Sequence, residues 1–160
     1  MRKILIMICL VLSLTGCAGG ESSKGYFDIS RENFVEKLQK DEVFEVEYVE
    51  NEEDNNEDKY FYLCNDILGS VNFVITENKD KKITQLFISY DEYEESKVPA
   101  LFAVVAEKTM LIFSPDTEPN DFTEKYKTLK SQQESISGNY GDVNIISQQS
   151  DNLKTISFTK

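Results

Sequence analysis

Histidine and tryptophan are absent from the 160-residue chain, and cysteine and proline occur three times each. Without histidine the chain lacks the commonest general base and the commonest metal ligand. Three cysteines are too few for a disulfide scaffold, and seven glycines with three prolines exclude both a collagen-like and a Gly/Pro-rich disordered chain. Positive charge is scarce: 17 Lys and Arg stand against 29 Asp and Glu, a formal net charge of −12. Phosphate backbones are held by basic surfaces, so no nucleic acid is expected as a partner. The G-x-S-x-G, Walker-type, dinucleotide-binding and CxxC patterns do not occur either.

What is present begins at the N-terminus. Arg2 and Lys3 form a short cationic stretch, and Ile4 to Leu14 is an apolar run of eleven residues. That is the length of a secretory h-region and is shorter than the roughly 20 apolar residues a membrane-spanning helix needs. Leu14-Thr15-Gly16-Cys17 follows. This segment resembles the lipobox signal of bacterial lipoproteins, and the resemblance covers only the export signal. It implies cleavage between Gly16 and Cys17 and a diacylglyceryl group on the Cys17 sulfur, with no other cofactor expected. It also implies that the chain is held on the extracytoplasmic face of a cell membrane. Two acyl chains make such an anchor stable, because each buried methylene contributes about 0.8 kcal/mol.

Three regions are therefore expected: a signal peptide over 1–16, a lipidated Cys17 with a small, polar tether over 17–25, and a single acidic domain over 26–160. Loss of Arg2 and Lys3 leaves 15 basic against 29 acidic residues, a net charge of −14. An anionic membrane surface repels a domain of that charge, so the lipid must do the holding. A tether of this composition has an end-to-end distance of about 15–17 Å. Cys9 goes with the signal and Cys17 with the lipid, so Cys64 has no intrachain disulfide partner. Cys64 reads as a small buried hydrophobe; an exposed position would allow an intermolecular disulfide.

The periodicity of the remaining chain predicts an α+β fold, an antiparallel sheet in the order α-ββββ-α-α-ββ with helices packed on one face. Ser30 is set to cap a first helix, with Ile29 and Phe34 at the two positions of a hydrophobic staple. Alternation over 43–49, aromatic residues over 60–64, alternation over 70–76 and the run Ile83–Tyr90 predict a four-stranded meander. Leu86, Phe87 and Ile88 in succession point to burial on both faces of the fourth strand. Val98–Phe113 is apolar nearly all round and predicts a buried helix, with Ser96 as its cap, Pro99 in its first turn and Ser114-Pro115 as its stop. A further helix is expected over 118–133, with Phe122, Tyr126 and Leu129 as its stripe. Gly138 and Gly141 are expected to bracket a loop, and 143–147 and 153–159 to form a terminal hairpin.

Candidate sites are few. Asp54, Asn56 and Asp58 have the spacing of the first three ligands of a calcium loop. The rest of that pattern fails, with Lys59 where glycine is needed and Asn65 where a bidentate glutamate is needed. A solvated acidic turn is the simpler reading, and weak calcium binding is the functional one. Ser157-Phe158-Thr159-Lys160 matches S-x-x-K by letter alone, since it falls in a strand pattern and its partner motifs are missing. Tyr60 and Tyr62 share one face of a strand; if that face is exposed they form a candidate aromatic binding patch. The expectation is thus a non-enzymatic binding or interaction module that meets an envelope protein or ligand. Two alternatives stand beside it. One is a hydrolase that works with carboxylates alone, which needs two acids about 5–9 Å apart in a cleft. The other is a structural envelope protein that works as an oligomer and exposes a large apolar patch.

Overall fold

A computed structural model of the protein describes residues 25–40, 44–49, 58–66, 69–91, 98–116, 136–150 and 153–160. In chain order these form α1 (Arg31–Gln39), β1 (Glu45–Val49), β2 (Lys59–Asp66), β3 (Gly69–Glu77), β4 (Ile83–Asp91), α2 (Val98–Phe113), β5 (Ile136–Tyr140), β6 (Val143–Ser150) and β7 (Leu153–Thr159). The strands make one antiparallel sheet of seven, in the order β1-β2-β3-β4-β7-β6-β5. The fold is α+β, as the periodicity predicts. The described elements form two successive helix-and-meander units whose last strands, β4 and β7, meet in the middle of the sheet.

Local chemistry explains where α1 begins and ends. The Ser30 hydroxyl accepts a hydrogen bond from the Asn33 N–H, satisfying one of the donors that a helix start leaves free. Ile29 packs against the core and Phe34 is fully buried, which matches the staple geometry. The helix stops at Lys40, whose backbone turns extended after its N–H reaches the Glu36 carbonyl. In α2 the buried residues Val98, Leu101, Phe102, Val105, Ala106, Thr109, Met110 and Phe113 recur at the spacing of a single wide stripe. Burial is therefore not all round: Val104, on the opposite side, is 44% exposed. The Ser114 N–H closes the last turn on the Met110 carbonyl, and Pro115 prevents continuation.

Both described helices share a core with one face of the sheet, to which Phe73, Ile75, Leu86, Ile88, Ile156 and Phe158 contribute. The opposite face is also apolar at its centre: Val74 and Phe87 are register partners and both are buried. Gly69 opens β3 with φ +132°, and a side chain there would run into Val98 Cγ2, so the close approach of β3 to the start of α2 requires glycine.

Two sequence expectations need correction. Gly138 and Gly141 do not bracket a loop: Gly138 lies within the strand β5, at one edge of the sheet, with open space around it, and the turn lies at Gly141-Asp142 instead. The terminal hairpin is longer than the pattern predicts, since β6 runs to Ser150 and β7 starts at Leu153. The described order is therefore α-ββββ-α-βββ. The helix expected over 118–133 and the Ser96 cap lie outside the described residues.

Candidate functional site

Helix α1 has a chemically distinct neighbourhood on each side. On the first side lies a partly buried polar cluster. Arg31 opens the helix, and its guanidinium lies 3.7 Å from the centroid of the Tyr60 ring, donates a hydrogen bond to the Tyr62 hydroxyl at 2.8 Å and stands 2.8 Å from Glu32 Oε1. Its Nε also comes within 3.5 Å of Glu77 Oε1. Glu77 ends β3 at a register shift, and its side chain is only 2% exposed. That contact is an ion pair without hydrogen-bond geometry, and neither Glu77 carboxylate oxygen has a hydrogen-bond partner among the described residues. Burial pushes the Tyr62 hydroxyl above the ordinary tyrosine range, and the hydrogen bond and charge of Arg31 offset part of that rise. Arg31 is desolvated by the same packing, yet Tyr62 and the neighbouring carboxylates hold it more firmly charged than usual.

Tyr60 and Tyr62 therefore do share a face, but it is the face that α1 covers. Tyr62 is buried, stacked on Phe73 at 4.9 Å, and Tyr60 lies half-buried beneath Arg31. The exposed aromatic on this face is Tyr48 of β1, 55% exposed and edge-on to Tyr62. The two rings are thus part of the helix–sheet contact, and an open aromatic patch built from this pair is not what the geometry presents.

On the other side of α1 is an open groove of about 600 Å³. Its apolar floor comes from Phe27, Ile29, Ile112 and Phe113. Along its length run Ser30, Asn33, Lys37 and Lys40, which repeat at about one helical turn on α1. Lys82 at the start of β4 and Lys160 just beyond β7 close it. Four lysines (Lys37, Lys40, Lys82, Lys160) and two acidic residues (Asp28, Glu36) thus line the groove, in a chain whose overall balance is strongly acidic. Lys82 is paired with Asp28 at 2.6 Å, and Lys160 with Asp142 at 2.7 Å. That second contact pulls the Asp142 carboxyl below its ordinary value. Among the described residues no carboxylate lies within ion-pair distance of Lys37 or Lys40. The Phe27 ring stacks on Phe113 at 3.7 Å and the Phe27 N–H donates to the Ile83 carbonyl at 2.7 Å, so the floor is fixed to both α2 and the sheet.

The groove is the feature that sequence reading does not find. Its residues lie more than a hundred positions apart, and the only local trace is the pair Lys37 and Lys40 on α1. Of the calcium-loop trio, Asp54 and Asn56 lie outside the described residues. Asp58 is exposed, and its carbonyl accepts from the Glu77 N–H at 2.9 Å. Among the described residues no three acidic or cysteine side chains converge as a metal site would need, and no helix is long and apolar enough to cross a membrane. Cys64 is buried. No protein-family model matches the chain, and neither a curated protein nor a solved structure is similar to it.

Proposed function

We propose that this chain is a lipid-anchored, extracytoplasmic binding module of a bacterial envelope, attached through Cys17, whose groove along α1 takes an anionic group. The anchoring half of the reading rests on Leu14-Thr15-Gly16-Cys17 and the cationic and apolar segments before it. The binding half rests on one observation: four lysines gather around an apolar-floored groove on a chain of net charge −12. A lysine cluster set against the general charge lowers the energy of an anion there. The floor adds contact area for whatever carries the charge. Thermal unfolding of the protein in rising phosphate, with chloride at equal ionic strength as the reference, tests the binding half. The transition should rise with phosphate in the parent and fail to rise in the exposed double variant Lys37→Glu/Lys40→Glu. Equal responses of parent and variant would remove the groove as the binding place.

A further inference from the structure

We infer that the groove along α1 is the face this domain turns toward its own membrane, with its lysines lying against the phosphates of lipid headgroups. The inference deepens the anchored, anion-binding reading above and rests on it. The acyl-bearing residue, Cys17, precedes Phe27 by ten positions, a reach of at most about 36 Å even when fully extended. The chain then enters the fold at the groove itself. Phe27 forms part of the floor, and it is fixed by its stack on Phe113 and by its backbone bond to Ile83. However the domain turns, Phe27 on the groove floor stays within that reach of the acylated residue.

The exported chain carries 15 basic and 29 acidic residues, so a bilayer with anionic headgroups repels it as a whole while attracting the lysine-rich groove along α1. An acidic body with a cationic patch at its attachment point behaves as a dipole, and the surface field turns the patch inward and the acidic remainder outward. Each lysine brought to such a surface multiplies the inward-facing population by about fivefold at low salt. That gain fades beyond a Debye length of about 10 Å. Lys37 and Lys40, with no carboxylate at ion-pair distance among the described residues, contribute most directly.

The test uses the full-length acylated protein, reconstituted through its own lipid into vesicles of phosphatidylcholine alone or with phosphatidylglycerol added. A soluble amine reagent modifies the lysines, peptide masses give the rate at each one, and the intact mass reports acylation. Lys154 serves as internal reference, because it lies six positions along β7 from Lys160, roughly 20 Å away. In the anionic vesicles Lys37, Lys40 and Lys82 should react at least about threefold more slowly relative to Lys154 than in the neutral ones. The difference should close in high salt, and it should be lost at Lys82 in Lys37→Glu/Lys40→Glu. Equal rates in the two vesicle types, on a protein shown to be acylated, overturn the orientation alone. Equal protection by inorganic phosphate in neutral vesicles assigns the groove to a free anion and overturns it as well. A chain that carries no acyl mass overturns the anchor and the orientation together.

Discussion

Arg31 is only partly buried, yet its removal should destabilise the fold substantially, because it faces the buried Glu77 carboxylate. Replacing it with methionine keeps an unbranched apolar stem over Tyr60 and removes the charge facing Glu77. The Glu77 side chain is 2% exposed and that of Arg31 21%, at 3.5 Å separation. Taking one partner from a fully buried ion pair costs about 3–5 kcal/mol, because the other is left charged and dry. Water reaches the Arg31 side, which lowers that figure, while the lost hydrogen bond to the Tyr62 hydroxyl adds about 1 kcal/mol. The expected loss for Arg31→Met is therefore about 2–4 kcal/mol, a large part of the roughly 5–15 kcal/mol that holds a domain folded. Urea unfolding followed by far-UV circular dichroism at pH 7 measures it. The same experiment on Arg31→Met/Glu77→Met should recover at least half of the loss, because the stranded carboxylate is gone. A single variant within about 1 kcal/mol of the parent, or a double variant no more stable than the single one, would refute the view of Arg31 as the counter-charge of Glu77.

Three further changes probe other parts of the fold. Gly69→Ala should lose at least about 2 kcal/mol in the same unfolding assay, since the new Cβ meets Val98 Cγ2 and the backbone sits at positive φ. Thr109→Val should be neutral or stabilising by up to about 1 kcal/mol, because the buried Thr109 hydroxyl has no hydrogen-bond partner among the described residues; a clear destabilisation would reveal a partner. The raised pKa of Tyr62 predicts an alkaline limb. The folded state holds that proton more tightly than the unfolded chain, whose tyrosine titrates near 10. The contribution is complete below that value and is lost as pH rises through the higher folded one. The melting temperature should therefore fall more steeply above pH 10 in the parent than in Tyr62→Phe, and parallel curves would contradict the assignment.

How much of this was legible in the sequence depended on how local the controlling interactions are. The Ser30 cap, the Ile29–Phe34 staple and the β1–β4 meander follow from contacts within a few residues, and their alternation carries over into the observed strands. The shared face of Tyr60 and Tyr62 is legible from the two-residue period. Which face it is cannot be read the same way, because the covering contact comes from Arg31, about thirty positions earlier. β5 escapes the pattern because Gly138 and Asn139 carry turn propensity, and only their pairing with Ile145 and Asn144 makes them a strand. The junction of β4 with β7 joins segments some seventy residues apart, beyond any local periodicity. The groove depends on that same junction, because β4 and β7 bring Lys82 and Lys160 to one end of the sheet beside α1.

Cells expressing the chain and fed labelled palmitate should yield a labelled product in the membrane fraction, and Cys17→Ala should abolish the label and release the protein from that fraction. A product that carries no label and fractionates identically with and without the Cys17 thiol would contradict the anchor on which the proposed function is built.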